Sequence, residues 1–148
     1  MPILAVEKWR KLAIKEKHVQ RAVLDYLAAE GILAIRLNSG VAERDGRRIA
    51  LAPEGTADIV AQIPSERPVC WPPTSRVALS LRPGGTTTLE CWAAIICWIE
   101  CKKPARGTLS AAQRAFRELV EREGAPYIKA RSLDDVMRVI PPKKELPR

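Results

Sequence analysis

The chain predicts a mixed α/β domain whose elements run in the order αβββαβ, and three observations carry that expectation. Segments with apolar residues at helical spacing stand near both ends of the sequence. Short runs rich in Ile, Leu and Val, each closed by Gly, Pro, Asn or Asp, lie between them. The most apolar of these runs, Ala94 to Lys102, belongs at the centre of a mixed sheet, because a strand covered on both faces has no polar face to offer.

The elements follow in order. Val19, Val23, Tyr26 and Leu27 recur at helical spacing between about Lys15 and Glu30, and Gly31 follows as a helix stop. Ile32 to Leu37 reads as a strand closed by Asn38-Ser39-Gly40. Glu43 to Ile49 reads as a hairpin, since Asp45-Gly46 supplies the two positive φ angles of a type I′ turn. Pro53-Glu54-Gly55 breaks the chain again, and Asp58 to Ile63 makes the next strand. A stretch dense in Pro and Gly, about residues 64–92, reads as an insertion; Val77, Leu79 and Leu81 alternate before Pro83-Gly84-Gly85, and Thr87, Leu89 and Cys91 alternate after it, which predicts an inserted β-hairpin. After the Ala94–Lys102 strand, Ser110-Ala111-Ala112-Gln113 opens a helix as a capping box, with Gly124 beyond its end. Pro126 to Ala130 is a short strand, and Ser132-Leu133-Asp134-Asp135 caps a C-terminal helix stopped by Pro141-Pro142. Residues 141–148 read as a basic tail, and the first twelve residues carry no readable pattern.

With 148 residues the chain reads as one domain, its core spanning about residues 15–140. Its 25 Lys+Arg against 17 Asp+Glu, a formal charge of +8, suit a protein that meets a polyanion. No apolar run approaches the roughly 20 residues that span a bilayer, and no signal-peptide pattern is present, so a cytoplasmic protein with no membrane partner is expected. Cys70, Cys91, Cys97 and Cys101 contain no C-x2-C unit and read as core thiols rather than a metal cluster. The only histidine, His18, reads as a solvent-facing residue.

The chemistry concentrates in Asp58 and in Glu100-Cys101-Lys102. Successive side chains of a strand point to opposite faces, so Glu100 and Lys102 emerge together while Cys101 points away. Two carboxylates and an ammonium would converge. Hard divalent cations take oxygen ligands, so Asp58 and Glu100 suit Mg²⁺ or Mn²⁺ beside a lysine that steadies a hydroxide. Glu16 and Gln20 stand four apart on one face of the first helix, either reaching that site or facing solvent. Arg36, Arg47, Arg48, Lys103 and Arg106 lie on strands or loops flanking the motif and are the expected DNA-binding side chains.

An acid opening the second core strand and an E-x-K on the third resemble the PD-(D/E)XK pattern of restriction-endonuclease-like nucleases. The closer resemblance is to the virus-type replication-repair nuclease family, VRR-NUC. It rests on Glu16-Lys17-His18-Val19-Gln20, Asn38-Ser39-Gly40, Gly55-Thr56-Ala57-Asp58, Ile99-Glu100-Cys101-Lys102, Leu109-Ser110-Ala111-Ala112-Gln113 and Ser132-Leu133-Asp134-Asp135-Val136, in that order. The resemblance implies a restriction-endonuclease-like core and a Mg²⁺- or Mn²⁺-dependent endodeoxyribonuclease. Asp58, Glu100, the Cys101 carbonyl and Glu16 would be metal ligands, Lys102 would act on the hydroxide, and Gln113 and Gln20 would assist. It further implies a homodimer acting on branched DNA such as Holliday junctions, in repair, in a bacterial or phage-infected cell or encoded by a virus. A less selective DNA nuclease and a catalytically silent DNA-binding module are the alternatives. Ala57 stands where the family usually has Pro, and Gln113 is explained equally by its capping box.

Overall fold

The computed structural model describes residues 14–64, 66–67, 69–71 and 94–143. The predicted inserted hairpin, Cys91, Trp92 and the end of the basic tail lie outside them. The described elements are α1 (Glu16–Ala29), β1 (Leu33–Arg36), β2 (Val41–Arg44), β3 (Arg47–Ala50), β4 (Ile59–Ile63), β5 (Ile95–Cys101), α2 (Ala111–Arg122), β6 (Tyr127–Ala130) and α3 (Leu133–Val139). The sheet order is β1-β4-β5-β6, antiparallel at β1/β4 and β4/β5 and parallel at β5/β6. The molecule is thus a mixed α/β structure with a mostly antiparallel sheet. Strand β5 lies between β4 and β6, inside the sheet, as its apolar run predicts. Parallel strands need a crossover, and α2 supplies it between β5 and β6.

Alternation along β5 sorts the two faces. Cys97, Ile99 and Cys101 join Ile59, Ala61 and Ile63 of β4 and Ile128 and Ala130 of β6 in one buried cluster with Val19, Val23 and Leu27 of α1 and Val136 and Val139 of α3. On the opposite face Trp98 meets Phe116 of α2 edge to face at 5.1 Å, and Phe116 meets Tyr127 at 6.3 Å. Each buried Ile or Val is worth roughly 1.5–3 kcal/mol, and a one-residue slip of β5 would exchange its faces and drive Glu100 and Lys102 into the α1–α3 core. The apolar pattern therefore fixes where the charged residues emerge.

Local signals place the ends of the elements. Gly31 N–H donates to Ala28 O and Ile32 N–H to Leu27 O, the paired bonds that close a helix, and Gly124 and Ala125 repeat them at the end of α2. His18 is exposed, as expected, but it also caps α1: its Nδ1 accepts from Lys15 N–H at 3.2 Å. The Asp45-Gly46 turn has φ of 52° and 71°, joining β2 and β3 into a separate two-stranded sheet that does not extend the central one. Strands β4 and β6 each begin one residue later than the sequence suggests, and β5 stops at Cys101, one residue short of Lys102. Trp71 is half-buried against the main core. No helix among the described residues is long and apolar enough to cross a membrane.

Candidate metal and phosphodiester site

Register brings the acids together. Ile59 pairs with Ile99 in the antiparallel β4/β5 ladder, so Asp58, the residue before β4, lies opposite Glu100. Its backbone is held from the other side by Leu37 N–H, which donates to Asp58 O at 2.6 Å. Its carboxylate Oδ2 accepts from Cys101 N–H at 2.8 Å, bridging β4 and β5 just beyond their last shared pair. The turn feeding Asp58 is closed by Thr56, whose N–H and hydroxyl both donate to Pro53 O. Gly55, at φ 87°, packs so closely under α2 that an added Cβ would stand 2.6 Å from the Ala112 carbonyl carbon.

Glu100 is buried, with 1 % of its surface exposed. Its Oε1 takes a 2.8 Å ion pair from Lys102 Nζ and a hydrogen bond from Gln113 Nε2. Gln113 also completes its capping box: its Oε1 accepts from Ser110 N–H, and Ser110 Oγ accepts from Gln113 N–H. The two roles considered for this side chain are compatible, because the amide uses its oxygen on the cap and its nitrogen on Glu100. Burial pushes the Glu100 carboxyl up to about 7; Lys102 opposes the rise, while Asp58 and Glu16 add to it. Burial also raises the Cys97 and Cys101 thiols, which keeps both protonated and inert. Cys70 is half-buried and free.

The other expected residues fall into three groups. Glu16, half-buried at the start of α1, is near enough for its charge to bear on Glu100 and Cys101, yet it forms no hydrogen bond with either among the described residues. Gln20 is buried one turn further along α1. Arg36 is exposed at the end of β1, paired with Ile59 beside Asp58. Arg47 and Arg48 are exposed on the hairpin, and Lys103 and Arg106 on the loop after β5.

The donor chemistry fits a hard divalent cation. Asp58 and Glu100 offer only oxygen, and Glu100 Oε2 is buried without a hydrogen-bond partner among the described residues, an unmet acceptor that a cation would satisfy. Among the described residues no three His, Cys, Asp or Glu side chains are arranged to hold an ion, so Glu16 does not complete a three-carboxylate set. Two carboxylates with water and phosphate oxygens are nonetheless the usual complement of Mg²⁺.

Three neighbours of the site escaped the sequence reading. Gly107 lies so close to Lys102 that a Cβ there would collide with its side chain and with the Lys103 backbone, which positions the lysine. The Tyr127 hydroxyl is buried without a partner among the described residues, and its ionisation is pushed up first by burial and then by Glu100. Lys129 pairs in register with Glu100 on the adjacent parallel strand. Only the Gly in the Lys103–Thr108 loop had any local signal; the other two depend on the β5/β6 pairing. No protein-family model, curated protein or solved structure matches this chain.

Proposed function

We propose that this protein is a metal-dependent DNA endonuclease with a restriction-endonuclease-like core, similar to the VRR-NUC nucleases. The observation that carries the reading is Asp58 lying opposite Glu100 across β4/β5 while Glu100 is ion-paired to Lys102. A Mg²⁺ or Mn²⁺ ion held by Asp58, Glu100 and the Cys101 carbonyl, with Glu16 available to a second ion, would supply positive charge at the scissile phosphate and hydroxide near neutral pH. Lys102 would orient the attacking water and stabilise charge developing on the phosphoryl oxygens. Gln113 holds the Glu100 carboxylate in place, and Gln20 supports the same region from α1. The basic balance of the chain and the exposed Arg36, Arg47, Arg48, Lys103 and Arg106 support a DNA substrate. Branched DNA, including Holliday junctions, is the favoured class, with a homodimer supplying two matched sites and with repair in the cytoplasm as the setting.

A second reading, a catalytically silent DNA-binding module, is favoured by one observation: Glu100 Oε1 is already engaged by both Lys102 and Gln113. Incubating the pure protein with labelled four-way junctions, flaps and plain duplex, with Mg²⁺ or Mn²⁺ and with chelator, separates the readings. Metal-dependent cleavage with preference for junctions supports the resolvase; equal cleavage of all three supports a less selective nuclease; binding without cleavage supports the silent module.

A further inference from the structure

A basic groove beside the carboxylates is left unexplained by the chemistry above. A cavity of about 430 Å³ opens between α2 and β6, lined by Arg114, Arg117 and Lys129 and also by Glu118 and Glu121. A second, of about 210 Å³, shares Arg117 and Lys129 and adds Arg138, Asp135 and Trp71. Together they run from the Glu100 side of the sheet around β6, which is its edge strand.

The charges in this groove are unevenly matched. Arg117 pairs with Glu121 at 3.0 Å and lies 5.9 Å above the Tyr127 ring; Arg138 reaches Asp135 at 3.5 Å. Arg114 spends one guanidinium nitrogen on Leu109 O at 2.9 Å, leaving further N–H donors. Lys129 has no ion pair among the described residues, and it is half-buried. Burial first, and then the charges of Arg131, Arg117 and Lys102, make its ammonium harder to keep protonated. Glu121 and Asp135 are taken up by Arg117 and Arg138, so the half-buried Lys129 ammonium beside Arg114 is left open to an anion.

We infer that Lys129, Arg117 and Arg114 form a phosphate subsite for the polynucleotide strand, one position along its backbone from the phosphate at Asp58 and Glu100. Lys129 and Glu100 are register partners on neighbouring strands, which lie roughly 4.8 Å apart, so their side chains leave the same face side by side. Trp71 in the second cavity offers a ring on which a base can stack, a feature that free phosphate has no use for. The inference rests on the proposed nuclease reading for the nature of the strand, but not on catalysis.

The test is fluorescence anisotropy in chelator with a labelled 20-nucleotide single strand and a 20-base-pair duplex, over a range of salt. Lys129→Gln is expected to weaken binding about tenfold and to lower the slope of log affinity against log salt by about 1, with Lys129→Arg restoring both. Arg114→Gln, at an exposed position, should act in the same direction, and Arg21→Gln on the exposed face of α1 should change neither. Wild-type affinity and slope in both Lys129→Gln and Arg114→Gln would overturn the subsite, even if the protein cleaves DNA. Lys129-dependent binding of pyrophosphate without binding of either oligonucleotide would overturn the polynucleotide as its occupant. Lys129-dependent oligonucleotide binding in a protein that never cleaves would uphold the subsite and remove the nuclease reading alone.

Discussion

Among single residues, the decisive one is a carboxylate kept out of water. Glu100 stands fully buried with one oxygen shared between Lys102 and Gln113 and the other without a partner among the described residues. Its carboxyl rises from the ordinary 4.5 to about 7, so the folded state holds the proton more tightly than the unfolded one. Linkage then sets the sign: the stabilising contribution is complete below pH 4.5 and is lost as pH climbs toward 7. The metal-free protein should therefore lose stability across that window, and Glu100→Gln should flatten the change. Adding Mn²⁺ at pH 7.5 should raise the melting temperature of the wild type and leave that of Glu100→Gln unmoved. The same pH dependence in wild type and Glu100→Gln would show that Glu100 does not carry the change. The pairing of Glu100 with Lys102 was legible in the E-x-K spacing alone, because strand alternation is enough to place both on one face. Its burial was not legible, since that depends on α2 lying across the Trp98–Phe116–Tyr127 face.

At the scale of elements, the turn before β4 and the start of α2 are built against each other. Gly55→Ala would force a Cβ to within 2.6 Å of the Ala112 carbonyl at a φ that side chains rarely adopt. We expect a stability loss of about 2 kcal/mol or more and a displaced Asp58, read as a lowered denaturant midpoint together with weakened divalent-cation binding. A Gly55→Ala protein as stable and as cation-responsive as the wild type would separate the turn from the site. A second tie runs from the end of α1: Arg67 is buried, donates to Glu30 Oε2 at 2.9 Å and also donates to Pro141 O. The hydrogen bond from Lys143 N–H, followed by that from Arg67, holds the Glu30 carboxyl below the usual range. Its stabilisation is present above that range and is lost as pH falls through the lowered value. Glu30→Gln should thus be less stable than wild type at pH 7, with the gap narrowing as pH falls below 4.5; a gap unchanged by acid would assign the loss to packing. The helices and strands themselves were readable from apolar spacing, capping residues and the Asp45-Gly46 turn. The Arg67 tie was not, because no local pattern links residues that meet only after α3 has folded back.

At the scale of the whole molecule, the charged flanks and the oligomeric state decide between kinds of nuclease. A junction offers two symmetric strands, and a two-fold dimer offers two matched sites, so the resolvase form of the proposal requires a stable C2 dimer. Among the described residues, Leu33 and Ile35 on edge strand β1 and Val41 on the hairpin are large apolar side chains left exposed. Sedimentation at micromolar concentration should give a dimer, and Ile35→Glu should yield the monomer if this edge carries the contact. A strict wild-type monomer that cuts flaps as readily as junctions would retain the chemistry and remove the resolvase. The claim that Asp58 and Glu100 bind a divalent cation for phosphodiester hydrolysis is decided by Asp58→Asn. That change keeps an oxygen to accept from Cys101 N–H while removing the charge and the second ligand oxygen. In single-turnover cleavage of a labelled junction with Mg²⁺ or Mn²⁺, the wild type should cut and chelator should stop it. Asp58→Asn should bind the junction normally and cut at least about a hundredfold more slowly. Cleavage by Asp58→Asn at the wild-type rate, or wild-type cleavage that persists in chelator, would contradict the claim.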